Sequence, residues 1–216
     1  MRQNRRIAVI FDMDGVIFDS ERVYIEGYVK YASDYPDIRE VSLSCVGSTG
    51  KRTREIFLER YGEDFPFDAY YQKVRDYVMS YPVPLKPYVH EIFDYLKRSG
   101  VPTALASSTR RERVAQMLDA EGLTDYFTVI VCGDMVSRSK PHPDIFLAAA
   151  DRLGVPPEDC YVIEDSYNGI RAAHHVGMHP IMVPDILQPD DQIAAMCEAV
   201  LPHLNAAKEY LKGRME

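Results

Sequence analysis

The sequence predicts an α/β protein: a doubly wound, parallel-sheet (Rossmann-like) core with an α-helical cap domain inserted after the first strand. Three observations predict it. Short apolar runs alternate with helical patterns along most of the chain, the signature of strands joined by crossover helices. Gly100, Gly122, Gly154 and Gly177 follow the four helical patterns, where a left-handed C-terminal cap belongs. The interval between the first two strands is about 90 residues, whereas a βαβ unit needs roughly 30.

The strands are expected at Ile7–Phe11, Pro102–Ala106, Phe127–Val131, Tyr161–Ile163 and Pro180–Val183. Continuous apolar runs of this length suit strands buried on both faces. The helices between them are expected at Val89–Ser99, Arg110–Glu121, Asp144–Leu153 and Gly169–Val176, with a terminal helix beyond Gln188. The long interval carries helical patterns and no convincing strand. This divides the chain into a core of residues 1–19 and 84–216 and a cap of residues 20–83. Asp19-Ser20 and the stretch YPVPLKP at 81–87 have the turn chemistry of its two hinges, with Asp19 or Ser20 capping the first cap helix. Nine of the 15 tyrosines fall within 20–83. They either pack a small helical bundle or include one or two that line a substrate entrance.

Composition limits the partners. The net charge is −8, which argues against nucleic-acid and anionic-membrane surfaces. It leaves room for a small anion in a locally positive pocket. Cys45, Cys132, Cys160 and Cys197 are widely spaced, as expected for reduced thiols in a cytoplasm rather than a disulfide frame or a zinc site. The basic-then-apolar start, MRQNRRIAVIF, breaks at Asp12 without a cleavage site. No run of about 18 apolar residues predicts a membrane span. A cytoplasmic monomer is expected.

Ligands of open α/β sheets sit beyond the carboxyl ends of the strands, so the residues following each strand matter most. After the first come Asp12, Asp14 and Gly15, two acids where one would suffice as a turn or helix cap. After the second come Ser107 and Ser108. Thr109 and Glu112 have capping-box spacing, which assigns Thr109 to starting the next helix. The serines then stand above a helix N-terminus, a natural anion site, although serines also occur in ordinary loops. After the third comes Lys140, just before a proline-marked helix start where the dipole disfavours a cation. It either reaches toward an anion or is a solvated surface charge. After the fourth come Glu164 and Asp165, with Ser166 or Asp165 available to cap the following helix. Acids from the first and fourth strands would converge into a cluster of negative charge. A hard, oxygen-seeking divalent cation, Mg²⁺, relieves their repulsion, and hydroxyls with a lysine complete a phosphate site. His174, His175 and His179 suggest no metal site, because Gly177 interrupts the helix between the last two.

These residues carry a specific resemblance. D-x-D-G-V, a serine after the next core strand, K-P-x-P and E-D-S-x-N-G occur in that order. The pattern resembles the haloacid dehalogenase superfamily, and within it the β-phosphoglucomutase-like hydrolases with a small helical cap. The resemblance implies that Asp12 is a nucleophile that becomes an aspartyl phosphate. Asp14 would be the general acid–base and would give its backbone carbonyl to Mg²⁺. Ser107 and Lys140 would bind the transferring phosphoryl group, with Ser108 beside them. Asp12, Asp165 and Glu164 would complete the metal site, Glu164 directly or through water.

Dehalogenases of this superfamily lack the second acid of D-x-D, so Asp14 points to phosphoryl transfer. The implied function is a Mg²⁺-dependent phosphatase of small phosphorylated, sugar-phosphate-like metabolites. Mutase activity is the alternative. The related mutases carry a His where Tyr24 stands and an Arg where Gly50 stands. Lys51 or Arg52 could substitute only if the loop is shifted. Ser48, Thr49, Lys51 and Arg52 are candidate specificity residues, or simply a helix cap and its solvated face. A non-catalytic phosphate-binding protein is a further alternative, less in keeping with a complete motif set.

Overall fold

The computed structural model describes residues 7–48 and 50–215. The chain divides into two compact units, one formed by residues up to Ile17 and from Leu85 on, the other by Phe18–Pro84.

The first unit is built on β1 (Ala8–Phe11), every residue of which is buried. The chain then runs through the helices of the second unit, α1 (Ser20–Tyr31), α2 (Ile38–Ser44), α3 (Gly50–Tyr61) and α4 (Phe67–Ser80). On return it forms α5 (Val89–Arg98), β2 (Thr103–Ser107), α6 (Arg111–Ala120), β3 (Val129–Cys132) and α7 (Asp144–Leu153). It continues with β4 (Cys160–Glu164), α8 (Tyr167–His175), β5 (His179–Met182), α9 (Asp191–Met196), β6 (Ala199–Val200) and α10 (Leu204–Met215).

Among the described residues the sheet has six parallel strands in the order β3-β2-β1-β4-β5-β6. The chain therefore moves outward from β1 to β3 and then crosses back to β4. The reversal places a crevice beyond the carboxyl ends of β1 and β4, the position where doubly wound sheets bind ligands. Ile10 lies opposite Ala104 on one side and Val162 on the other. This register sets Asp12 level with the end of β4.

The helices follow from periodicity. In α5 the buried residues Val89, Ile92, Phe93 and Leu96 recur at intervals of three and four, one apolar stripe facing the sheet. In α7, Ile145, Phe146, Ala149, Ala150 and Leu153 do the same, and they join Ile10, Ala104, Ala106 and Val162 in one core cluster. Gly100, Gly122, Gly154 and Gly177 all take positive φ as their helices end.

Several boundaries differ from expectation. β2, β3 and β4 run one residue further, so Ser107, Cys132 and Glu164 lie within the strands. The tail is not one helix: α9, the two-residue strand β6 and α10 share it. A two-residue strand has no periodicity to read, and it is held by pairing with β5. Asp19 stands at the N-cap position of α1 but makes no capping bond. Its carboxylate pairs instead with Arg22 at 3.0 Å. No described helix is long and apolar enough to cross a membrane.

The second unit packs around aromatic rings. Phe57 is fully buried and meets Tyr28 at 4.8 Å between centroids, Phe67 at 5.3 Å and Phe65 at 5.5 Å. Tyr35 in turn meets Tyr61, Phe65 and Tyr70. Packing accounts for most of the tyrosine excess. Phe57→Ala should cost about 3–5 kcal/mol, because it empties the middle of this cluster. Urea unfolding followed by tyrosine fluorescence measures it, since the chain has no tryptophan. A cost below about 1 kcal/mol would show that the rings are not a packed core.

Candidate active site

Four strand ends bring the site together, and a lysine holds its centre. Asp12 follows β1 and extends its pairing: its N–H donates to the Ile163 carbonyl at 3.0 Å. Glu164 ends β4, and Asp165 follows it. Asp12, Glu164 and Asp165 are all buried, and each offers a carboxylate oxygen within 4.8 Å of the others. Lys140, on the segment leading to α7, reaches into the cluster. Its ammonium donates to Asp12 Oδ1 at 2.6 Å, Glu164 Oε1 at 2.7 Å and the Ala106 carbonyl at 3.2 Å. All three of its protons have acceptors. Lys140 is therefore not a solvated surface charge: it is buried against the protein's own carboxylates.

The other oxygen of Glu164, Oε2, accepts from the backbone N–H groups of Asp165 at 2.8 Å and Ser166 at 2.7 Å. Ser166 is also the cap of α8, its hydroxyl accepting from Gly169 N at 3.1 Å. Asp14 is half-buried. Its Oδ2 accepts from Thr109 Oγ1 at 2.8 Å and lies 3.4 Å from Ser107 Oγ. Ser107 is fully buried, and its oxygen accepts from Thr109 N at 3.0 Å. Ser108 is exposed, one residue past β2.

Thr109 is the residue whose role the capping-box spacing misassigned. Arg110 occupies the N-cap of α6 and makes no side-chain cap bond. The free N–H of Arg111 is taken by Asp134 Oδ1 at 3.1 Å. A hydrogen bond to a carboxylate is roughly twice as strong as one between neutral groups, so Asp14 outcompetes the local cap for the Thr109 hydroxyl. The partner lies 95 residues away in sequence, beyond the reach of any local pattern.

The electrostatics are those of an unbalanced cluster. Three carboxylates face one ammonium. Burial pushes the Asp12 carboxyl above the usual range, and the charges of Glu164 and Asp14 add to this against the pull of Lys140. Burial also works against the charged form of Lys140, but Asp12 and Glu164 outweigh it and hold the ammonium above its ordinary value. The donor set is all hard oxygen with excess negative charge, which fits a divalent cation such as Mg²⁺.

Two glycines let the carboxylates fit. Gly15 has φ +80°, and a Cβ there would fall 2.1 Å from Asp165 Oδ2. A Cβ on Gly169 would fall 1.8 Å from Glu164 Oε1 and 2.0 Å from its carboxyl carbon. The first turn of α8 thus passes directly over the Glu164 carboxylate.

The proposed specificity residues belong to the helical unit. Ser48 is partly buried before α3, and Lys51 and Arg52 are exposed on it. Arg52 is committed to its own helix, donating to Glu59 at 2.8 Å and Glu55 at 3.2 Å. Thr49 lies outside the described residues. Gly50 begins α3, and a Cβ there would lie 3.4 Å from the Tyr71 hydroxyl oxygen.

The Gly169 contact yields a test. Gly169→Ala should destabilise the protein by on the order of 2 kcal/mol, because Glu164 must leave its lysine and its two N–H donors. The same change in a Glu164→Ala background should cost close to nothing, since alanine is the better helix former. A double-mutant cycle in urea reads the coupling. Equal costs in both backgrounds would mean that Glu164 is not what Gly169 accommodates.

Comparison with known proteins agrees with this geometry. Residues 9–183 match the model of the haloacid dehalogenase-like hydrolase family. A phosphorylated carbohydrates phosphatase of Thermotoga maritima is 35% identical over 181 residues, covering 81% of this chain and 83% of that protein. The β-phosphoglucomutase of Bacillus subtilis is 32% identical over 188 residues, covering 82% of each. Among solved structures, a hydrolase of the same family from Deinococcus radiodurans, crystallised with bound phosphate and sodium, superposes with a TM-score of 0.79 at 26% identity. That match covers 99% of this chain and 98% of the other. The chain belongs to the haloacid dehalogenase-like hydrolase family.

Proposed function

We propose that this hydrolase is a Mg²⁺-dependent phosphatase of small phosphorylated, sugar-phosphate-like metabolites, acting through an aspartyl phosphate on Asp12. The observation that carries the proposal is the buried cluster of Asp12, Glu164 and Asp165 around Lys140, with Asp14 beside it on the Thr109 and Ser107 hydroxyls.

An oxygen of Asp12 attacks phosphorus, and the bond from phosphorus to the substrate alcohol breaks. Asp14, as general acid, delivers a proton to the departing alkoxide. In the second half Asp14 takes a proton from water as that water attacks phosphorus, and Asp12 is released. Splitting one displacement into two lowers each barrier. Asp12 and a phosphate dianion repel one another, so attack needs positive charge around the transferring group. Lys140 supplies part of it. Asp12, Glu164, Asp165 and the Asp14 carbonyl would hold Mg²⁺, which when bound adds further positive charge for the phosphoryl oxygens. Ser107, buried at the end of β2, and Ser108, exposed one residue beyond it, would donate to the same group.

Phosphatase is preferred to mutase because of the helical unit. Tyr24 and Gly50 stand where the resemblance places a histidine and an arginine, and Arg52 is engaged by Glu55 and Glu59. A cytoplasmic location is inferred from four cysteines that are all free thiols.

Purified protein should release phosphate from sugar phosphates and from p-nitrophenyl phosphate, and EDTA should abolish the activity. Asp12→Asn should lower kcat by at least about a hundredfold, as loss of a nucleophile does. Near-normal turnover by Asp12→Asn would sink the nucleophile assignment. Efficient interconversion of β-glucose 1-phosphate and glucose 6-phosphate would replace phosphatase by mutase.

A further inference from the structure

We propose that Lys86 and Asp185 form a strap that fixes the turn carrying Asp14, and so act as positioning residues for proton transfer to the leaving group. The inference rests on the reading of Asp14 as general acid.

Lys86 Nζ donates to Asp185 Oδ1 at 2.6 Å, and the Asp185 side chain is 1% exposed against 18% for Lys86. The two residues are 99 apart in sequence. Removing a carboxylate this completely from water is expensive, and pairing it returns about what it costs. A buried pair of this kind is therefore a poor source of net stability. Its effect is to fix the two segments that carry it.

Those segments flank the active site. The Lys86 backbone N–H donates to the Ile17 carbonyl at 2.8 Å, and Ile17 N–H donates to the Met13 carbonyl at 2.9 Å. The turn between Met13 and Ile17 contains Asp14 and Gly15. Asp185 lies on the loop that leaves β5, just after Val183, whose N–H donates to the Glu164 carbonyl at 2.8 Å. β1 and β5 are not neighbours, because β4 lies between them. The ion pair therefore joins the segment bonded to the turn after β1 to the loop after β5, across the strand that ends at Glu164. On its inner side the turn is already in contact, since Gly15 leaves Asp165 no spare room. The strap fixes the same turn through Ile17, so Asp14 is held from both sides.

Proton transfer is sensitive to displacements well under 1 Å. An alkyl alcohol leaves as a strong base and needs the proton. The p-nitrophenolate anion is stable and leaves without it. A loosened Asp14 should therefore slow alkyl phosphates selectively.

The test is the ratio of kcat/KM for glycerol 3-phosphate to that for p-nitrophenyl phosphate. Lys86→Met combined with Asp185→Leu removes both charges and leaves neither buried alone. This variant should lower the ratio about tenfold or more, while p-nitrophenyl phosphate turnover changes far less. Asp14→Asn should lower the same ratio further. Asp185→Asn, which keeps the shape and the acceptor oxygen, gives the same comparison with a smaller drop if the double variant does not fold. A ratio equal to that of the wild type, or parallel losses on both substrates, in a folded strap variant overturns the proposal while Asp14→Asn retains its bias. If Asp14→Asn itself shows no bias, the general-acid reading fails, and the strap fails with it.

Discussion

One ammonium group, Lys140 Nζ, is the counter-charge on which the carboxyl end of the sheet depends. Asp12 and Glu164 come from strands that pair directly, so the sheet delivers their carboxylates to the same buried place whether or not they repel. Without a cation between them, that end of the fold would hold unpaired charge out of water, at a cost of several kcal/mol for each ion. Lys140 bonds both at once and spends its third proton on the β2 carbonyl of Ala106. The segment from β3 to α7 is thereby fixed to β1, β2 and β4 together. The cluster is also unbalanced: one positive group faces three negative ones, a deficit that a divalent cation would relieve.

Close backbone approach is the second constraint. The turn after β1 and the first turn of α8 press directly on Asp165 and Glu164. Neither could do so with a Cβ at Gly15 or Gly169. The carboxylates are therefore held by charge from the Lys140 side and by backbone from the others, with the Asp165 and Ser166 N–H groups fixing Glu164 Oε2. Oxygens restrained in this way lose little freedom when a ligand arrives, which is the physical content of preorganisation.

The sequence disclosed whatever depends on local pattern or on a conspicuous local misfit. Apolar runs located the strands to within a residue or two, and the overlong first interval pointed to the extra helices that follow β1. Asp12 and Asp14 stood out as candidates because a turn or helix cap accounts for one acid at the end of a buried run, less easily for two. Lys140 was legible because a cation just before a helix is misplaced. What escaped was set by partners distant in sequence. Thr109 has a good local explanation as a cap, and only the fold shows that Asp14 takes its hydroxyl. Lys86 and Asp185 look like two ordinary loop charges until the topology sets them side by side. Gly169 closes the E-D-S-x-N-G motif and begins a predicted helix, but the pattern does not say that the Glu164 carboxylate folds back beneath it. β6 was invisible because two residues carry no period. The helical unit was legible as helical and aromatic, but the chemistry it selects was not, since its tyrosines largely pack against one another.

The saturation of Lys140 bears on how a phosphoryl group could be received. All three of its protons are committed, so an incoming phosphate oxygen must replace an acceptor. Asp12 and Glu164 accept at 2.6 and 2.7 Å and carry charge, whereas the Ala106 carbonyl accepts at 3.2 Å and is neutral. The longer, uncharged bond is the one that can be exchanged at least cost. A phosphate oxygen in its place would be a charged acceptor, so the exchange gains electrostatic energy at the lysine. The ammonium could then turn toward the substrate while keeping both carboxylates. The Ala106 carbonyl would be left needing a donor at the end of β2, next to the buried Ser107 hydroxyl. The lysine holds the acids in place in the free protein, and under the proposed phosphatase reading it would also share its charge with the phosphoryl group once a substrate is bound.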